Sequence, residues 1–125
     1  MAGLYRATLT AEFLDAFGGR DVFPSIELEE GADLGWGGSL VVADGTTEQA
    51  LAFPGITTLS CLGITATEDL EVFLGAPATN QAKTIRAGGV LFVAKLSLTV
   101  AAGVHVSYNP GDASSCTIRY FAAGA

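Results

Sequence analysis

Few side chains in this sequence could perform nucleophilic or acid–base catalysis. His105 is the only histidine, and no Gly-x-Ser-x-Gly elbow accompanies it, so a catalytic triad has no recognisable parts. Its alternation with Val104 and Val106 instead predicts a residue that faces outward from a β-strand. The Gly-Trp-Gly-Gly loop at 35–38 lacks the Lys-Ser/Thr ending of a phosphate-binding loop. We therefore predict that the protein is not an enzyme and that it has no catalytic or cofactor-binding residues and no cofactor.

The two cysteines, Cys61 and Cys116, cannot form a zinc site alone, because such a site needs four ligands and neither cysteine has a CxxC partner. Each lies in an apolar or hydroxyl-rich strand pattern, which favours two buried thiols that pack as small hydrophobic side chains. A disulfide between adjacent strands is the alternative, and it would require an oxidising compartment.

The acidic side chains are concentrated in the first half of the chain. Residues 1–63 hold nine acids and two bases, whereas residues 64–125 hold four of each, which together give the net charge of −7. The densest cluster, Glu27, Glu29, Glu30 and Asp33, lacks the alternating ligands and closing Glu of a calcium loop. We predict no metal and interpret this cluster as a solvated strand end, with a cation site or a dock for a basic partner as the alternative. The acidity excludes direct nucleic-acid binding, which needs a positive field.

No segment has the pattern of a membrane span or an export signal. Residues 49–67 carry no charge, but Pro54, Gly55 and Gly63 interrupt them, which is typical of strands and turns. Before Glu12 there is no apolar run of signal-peptide length, so we expect synthesis in the cytoplasm and no membrane partner.

Period-two alternation is the strongest pattern in the sequence. Tyr5, Ala7, Leu9, Ala11 and Phe13 share one parity against polar neighbours, which predicts a half-buried strand in preference to a short helix over 10–17. Further strand-like runs occur at 25–29, 40–43, 48–53, 56–67, 70–74, 81–87, 90–99, 104–109 and 116–122. Turn residues separate them about every ten positions.

Eight to ten short strands without crossover helices predict one all-β domain over residues 1–125, an antiparallel β-sandwich. We favour a jelly-roll-like topology, since Trp36 precedes both cysteines and the Cys-Trp-Cys order of true immunoglobulin domains is missing. An immunoglobulin-like sandwich is the alternative. The N-terminal residues, about 1–20, either form an arm that adds a strand to a neighbour or form the first strand of their own sheet.

The aromatic residues divide into candidates for the interface and for the core. Trp36 in its glycine loop and Tyr5 near the N-terminus are the best candidates for exposed contact residues. Phe17, Phe23 and Phe53 border turns and are either lids of the core or contact residues, whereas Phe73, Phe92 and Phe121 fit core positions of alternating strands. The candidate interface residues are Tyr5, Leu9, Phe13, Trp36 and Phe53.

Residues 56–122 carry a recognisable order of motifs. They read Gly63-Ile64-Thr65-Ala66-Thr67, then Asp69-Leu70-Glu71-Val72-Phe73-Leu74, a loop, Lys83-Thr84-Ile85-Arg86-Ala87-Gly88-Gly89, Val104-His105-Val106-Ser107-Tyr108, and a last strand, Thr117-Ile118-Arg119-Tyr120-Phe121. This order resembles the small β-sandwich modules of tailed-bacteriophage virions. The resemblance implies a capsid cement (decoration) protein on the head exterior, commonly a trimer, that clamps neighbouring major capsid subunits.

Two other classes of function remain open at this point. A head-completion, neck or tail subunit could use the same sandwich with a different symmetry. A carbohydrate-binding module could place a platform at Trp36, Tyr108 and the acids near Glu30, although sugar platforms usually need more rings than this chain offers.

Overall fold

The computed structural model describes residues 3–125, which contain twelve β-strands and no helix. The strands are β1 Gly3–Leu9, β2 Glu12–Leu14, β3 Arg20–Val22, β4 Ile26–Ala32, β5 Leu34–Ala43, β6 Thr46–Ala50, β7 Thr58–Ala66, β8 Leu70–Leu74, β9 Lys83–Ile85, β10 Val90–Thr99, β11 Val104–Tyr108 and β12 Ser115–Gly124. Residues 3–125 contain no helix with the length and hydropathy of a membrane span.

The last eight strands form two four-stranded antiparallel sheets. One sheet has the order β10-β7-β12-β5 and the other has the order β6-β11-β8-β9. The pairs are nested along the chain, because β5 pairs with β12, β6 with β11, β7 with β10 and β8 with β9. Nested pairing split between two sheets is the jelly-roll arrangement. The prediction of a jelly-roll-like sandwich is confirmed, and the immunoglobulin-like alternative is not the topology observed.

The core lies between the two sheets and is built by alternating side chains. In β7, Leu59, Leu62 and Ile64 are fully buried, and in β11 Val104 and Val106 face them from the opposite sheet. Cys61 and Cys116 are buried and unpaired, which confirms the interpretation as packed thiols.

Phe53 belongs to this core, so its assignment to the interface is wrong. The segment between β6 and β7 turns Leu51, Phe53 and Ile56 inward, and Phe53 is 4% exposed. Its ring meets that of Tyr120 edge-on, with the ring centroids 5.7 Å apart. A residue beside a turn is buried here because the connection crosses from one sheet to the other over the end of the sandwich.

A β-bulge in β10 reverses which residues face the core. The pairing of β10 with β7 shifts between Ala94 and Leu98, and Lys95 adopts a left-handed backbone with φ of 56°. Before the bulge Leu91 packs on the core, and after it Leu96 and Leu98 do so. The expected single parity from 90 to 98 is therefore broken.

Phe92 and Phe121 consequently lie on the outer side of their sheet. Phe92 is 44% exposed and Phe121 is 43% exposed, so the prediction that both are core residues is wrong. Phe73 is half-buried. The β10 bulge accounts for Phe92, and the pairing of Phe121 with Gly63, opposite Phe92, places it on the same outer side.

Residues 3–32 form a long antiparallel hairpin that precedes the sandwich. β1 pairs with β4, and further out β2 pairs with β3 across a turn at residues 15–19. The alternative of a helix over 10–17 is wrong, since β2 lies in that segment. Of the arm expected over residues 1–20, Met1 and Ala2 lie outside the described residues.

Candidate interaction surface

The outer part of the hairpin projects away from the sandwich. Every residue from 8 to 27 is exposed. Seven of them are large hydrophobic residues: Leu9, Phe13, Leu14, Phe17, Val22, Phe23 and Ile26, with exposures of 53% to 99%. A lone two-stranded hairpin is at best marginally stable in water. Its exposed apolar side chains make the hairpin the leading candidate for an interaction surface.

Tyr5 attaches the base of the hairpin to the outer side of the β10-β7-β12-β5 sheet. The ring is 5% exposed and packs on Cys61 and Ala123. Its hydroxyl donates a hydrogen bond to Glu30 Oε2 at 2.9 Å and accepts one from the backbone N of Lys95 at 3.4 Å. The prediction of Tyr5 as an exposed contact residue is wrong, because the small side chains of Cys61 and Ala123 leave room for its ring.

Burial at this attachment point changes two acid–base equilibria. Burial raises the pKa of Tyr5 above its ordinary value, and the neighbouring Glu30 adds to the rise. Burial likewise raises the pKa of the Cys61 thiol from 9.0 to about 11, with a smaller contribution from the charge of Glu30. Both groups are therefore uncharged at neutral pH.

The hairpin has one nearly continuous apolar face. Side chains of directly paired residues lie on the same face of an antiparallel ladder. The register therefore groups Ala7 and Leu9 of β1 with their partners Leu28 and Ile26, and nearer the tip Phe13 with Asp21. The backbone N of Phe23 donates a hydrogen bond to Ala11 O at 3.1 Å, so Phe23 lies opposite Ala11 and on the same face. The register of the hairpin shifts between these two strand pairs, at residues 24–25. We call Phe13, Asp21 and Phe23 the inner tip face.

The opposite side of the hairpin tip is also partly apolar. Glu12 pairs with Val22, and Leu14 pairs with Arg20, so these four side chains share that side. Arg20 Nε lies 2.7 Å from Glu12 Oε2, which leaves Leu14 and Val22 as apolar neighbours of a neutralised ion pair. We call Leu14 and Val22 the outer tip face. The tip thus presents apolar side chains on both of its faces.

The turn at the tip is held in one conformation by Asp15. Its Oδ1 accepts hydrogen bonds from the backbone N of Phe17 and of Gly19, each at 2.8 Å. Gly18 supplies the left-handed backbone, with φ of 88°, that closes the turn. Phe17 is thereby presented at 99% exposure on an ordered turn.

An apolar groove of about 400 Å³ separates the hairpin from the edge of the sheet. Leu9, Ile26 and Leu28 line it from the hairpin, and Val90 and Phe92 line it from β10. Nothing in residues 3–125 fills it. The groove opens toward the outer tip of the hairpin, because residues 10–25 lie beyond its lining.

The outer sheet face continues from this groove across the strands. Phe92, Gly63 and Phe121 lie in one row, and Val90, Thr65 and Arg119 lie in the next. A shallow hollow of about 370 Å³ lies on this face, and its lining includes Gly63, Val90, Arg119 and Phe121. We call Val90, Phe92, Phe121 and Arg119 the outer sheet face.

The remaining candidate residues are distributed as follows. Leu9 and Phe13 are exposed on the hairpin, and their assignment to an interface stays a prediction. The prediction of a glycine loop at 35–38 is wrong, because these residues belong to β5 and pair with β12. Trp36 is 37% exposed and pairs with the buried Ala122, so it lies at the rim of the opposite side of the sheet from the hairpin. The interface residues proposed from sequence are therefore not brought together at one site. Leu14 and Val22 were missed, although their place beside the Gly18-Gly19 turn in an alternating run is a signal for exposure.

Other chemistry is sparse in residues 3–125. No group of three or more His, Cys, Asp or Glu side chains among them could hold a metal ion. Glu29 pairs with Arg6 at 2.6 Å, and Glu30 lies 3.5 Å from Lys95, so these two acids of the cluster are engaged in ion pairs. His105 Nδ1 lies 3.0 Å from the carbonyl oxygen of Gly75, which fixes the ring on the outside of the second sheet.

The sugar platform suggested by the sequence does not form. Tyr108 is 4% exposed, and its hydroxyl is hydrogen-bonded to Ser114. Its ring therefore cannot stack on a sugar beside Trp36. Comparison with protein-family models gives no match for this chain, and neither does comparison with curated proteins.

Proposed function

We propose that this chain is a capsid cement protein of a tailed phage. It is a non-enzymatic virion protein that is synthesised in the host cytoplasm, binds the outer surface of the head and stabilises contacts between major capsid subunits. It self-associates as a homotrimer. The resemblance of residues 56–122 to phage β-sandwich modules is the starting point for this assignment.

The observation that supports the proposal best is the projecting hairpin. Its tip exposes apolar side chains on both faces, Phe13 and Phe23 on one and Leu14 and Val22 on the other. A two-sided apolar arm needs cover on both sides, which a protein wedged between neighbours in a lattice obtains. Cementing requires contact area and no reactive group, and the jelly-roll sandwich supplies a rigid base for the arm.

The charge of the chain supports the same proposal. The net charge of −7 on 125 residues keeps free copies apart before they reach the lattice. The same acidity disfavours contact with packaged DNA. The partner implied by the resemblance is the major capsid protein, and the proposal includes no contact with nucleic acid or a membrane.

The test is binding of the purified protein to phage heads that were assembled without it. We expect saturation at a fixed molar ratio to the major capsid protein, and a higher temperature of head disruption once the protein is bound. Heads that already carry the protein serve as the control for specific sites and take up no more. Absence of binding to the vacant heads at saturating protein concentration would refute the function.

A pair of variants tests the role of the outer tip face. Leu14→Ser combined with Val22→Ser removes apolar contacts at the tip, and we expect at least about tenfold weaker binding to heads. The matched control is Val41→Ser, which changes a residue of similar exposure, 64%, on strand β5 of the sandwich and outside the hairpin. Equal binding by the tip variant and the control would show that the hairpin does not contact the capsid.

A further inference from the structure

We propose that the hairpin tip of one copy docks on the outer sheet face of a second copy. Phe13 and Phe23 cover Phe92 and Phe121 of that copy, and Asp21 pairs with its Arg119. The proposal rests on the self-association included in the proposed function. It does not depend on capsid binding, so the two can fail separately.

The two surfaces are complementary in their apolar parts. On the inner tip face, Phe13 and Phe23 are 59% and 53% exposed, and on the outer sheet face Val90 is 67% exposed. The sheet offers a hollow lined by Gly63, Arg119 and Phe121, and Val90 borders both this hollow and the groove beneath the hairpin. Aromatic rings seated in such hollows provide much of the binding energy of protein interfaces.

The two surfaces also have opposite charge. The hairpin strands and turn, residues 3–32, carry six acids and two bases, and both bases are already paired with Glu29 and Glu12. The four strands of the docking sheet contain no acid, and their only charged residues are Lys95 and Arg119. Lys95 is engaged by Glu30 at 3.5 Å, whereas Arg119 forms no ion pair within residues 3–125. Arg119 is thus the cation that a hairpin acid of a second copy would meet.

Asp21 is the acid in the position to reach it. It lies directly opposite Phe13 on the inner tip face, and it forms no ion pair within the described chain. Arg119 lies in the row next to that of Phe121 on the sheet. When the tip docks on a second copy, Phe13 and Asp21 therefore meet Phe121 and Arg119 of that copy.

The exposed area of the chain agrees with a missing neighbour. The accessible surface is 7523 Å². A compact monomer of 12.7 kDa would expose about 6,200 Å² by the usual scaling with mass. The excess of about 1,300 Å² exceeds the roughly 800 Å² that each partner buries in a standard protein interface. The hairpin and the outer sheet face together account for most of the large exposed hydrophobic residues, which favours a contact between copies of this chain.

Charge reversal tests the contact in the isolated protein. The association constant is measured by sedimentation equilibrium from about 1 to 200 μM for the wild type, Asp21→Arg, Arg119→Asp and the double variant. We expect each single reversal to weaken association roughly tenfold, because it places like charges together, and the double variant to recover most of the loss. Arg86→Asp makes the same charge change outside the face and is the matched control, expected to associate like the wild type.

A mixing experiment tests which surfaces meet. Phe13→Ser leaves the sheet face intact, and Phe92→Ser leaves the tip intact. We expect each variant alone to be monomeric and a 1:1 mixture to form a complex, because the mixture contains one good tip and one good face. Circular dichroism and thermal melting of each variant check that it is folded.

Three results would overturn the proposal. The first is a wild-type protein that stays monomeric across the whole concentration range. The second is association that the reversals at Asp21 and Arg119 change no more than Arg86→Asp does. The third is a 1:1 mixture of folded Phe13→Ser and Phe92→Ser that stays monomeric, since one intact tip and one intact sheet face would then not form the contact.

Discussion

Truncation of two large side chains on neighbouring strands separates the core of this sandwich from its outer surface. Leu62 in β7 and Phe92 in β10 both lie in alternating apolar runs, and their positions in sequence suggest two core residues. In the structure Leu62 is 0% exposed between the sheets, whereas Phe92 is 44% exposed on the outer sheet face. We expect Leu62→Ala to be the more destabilising change, although phenylalanine is the larger residue.

The expected magnitudes follow from burial. Leu62→Ala removes a fully buried side chain and should reduce the free energy of unfolding by about 3 kcal/mol. Phe92 has lost only about half of its surface to the protein, so Phe92→Ala should reduce it by about 1.5 kcal/mol. With an unfolding entropy of about 2.1 cal/mol/K per residue, the 125 residues give shifts in Tm of about 11 °C and about 6 °C.

Urea denaturation followed by circular dichroism measures both free energies, and an unchanged m value shows that the unfolded states are comparable. The experiment is performed at a dilution at which the chain is monomeric, because association would add a concentration-dependent term for Phe92. A loss for Phe92→Ala that equals or exceeds the loss for Leu62→Ala would refute the reasoning. It would mean that the bulge at Lys95 does not turn Phe92 outward.

Three further predictions concern the hairpin base, a loop and a strand end. Tyr5→Ala should make Cys61 accessible to alkylation at neutral pH, measured by mass spectrometry, because the Tyr5 ring covers that thiol. The backbone N–H groups of residues 111 and 113 donate hydrogen bonds to the Asp44 carboxylate and lower the pKa of Asp44 below its ordinary value of 3.8. The stability that these hydrogen bonds provide is therefore present above pH 3.8 and is lost as the pH falls through the lowered pKa. An NMR titration of the Asp44 carboxyl measures this pKa. Gly124→Ala should reduce the free energy of unfolding by roughly 1–3 kcal/mol, and so lower Tm, because the added Cβ would meet the backbone oxygen of Thr58.

Each of these predictions has an internal comparison. Cys116 lies in the core away from the hairpin, so faster alkylation of both cysteines in Tyr5→Ala would indicate general unfolding and contradict the first prediction. Asp44→Asn should speed hydrogen exchange at residues 111 and 113, and an Asp44 pKa at or above 3.8 would contradict the second. Gly63→Ala is the control for the third prediction, since its Cβ would lie at an ordinary contact distance of 3.5 Å from the Phe92 ring. Equal losses of stability for Gly63→Ala and Gly124→Ala would contradict the third prediction.

The pH dependence at the hairpin base has the opposite sign from that at Asp44. The raised pKa of Cys61 means that the folded state holds the thiol proton more tightly than the unfolded chain does. Its contribution to stability is complete below pH 9.0 and is lost as the pH rises to about 11. Tyr5 acts in the same direction, because its pKa is also raised.

Local patterns in the sequence are sufficient to predict the class of fold and the approximate place of the strands. Alternation in residues 5–13 and 104–108 is a local signal, since successive side chains of a strand point to opposite sides whatever the strand packs against. The turn residues Gly18-Gly19 and Asn109-Pro110-Gly111 are local for the same reason, because each needs a backbone conformation that few other residues adopt. These signals suffice for an antiparallel sandwich.

Contacts between distant segments determine which side of β10 and of the hairpin strands is buried. The irregularity at Lys95, where the pairing of β10 with β7 shifts by two residues between Ala94 and Leu98, exchanges the inner and outer sides of β10. Tyr5 is buried only because Cys61 and Ala123, far away in the chain, leave space for its ring. The candidate interaction surface arises in the same way, since it joins a hairpin from the first 32 residues to a sheet face from β7, β10 and β12. Burial is a property of contacts between distant segments, and alternation along one segment does not specify it.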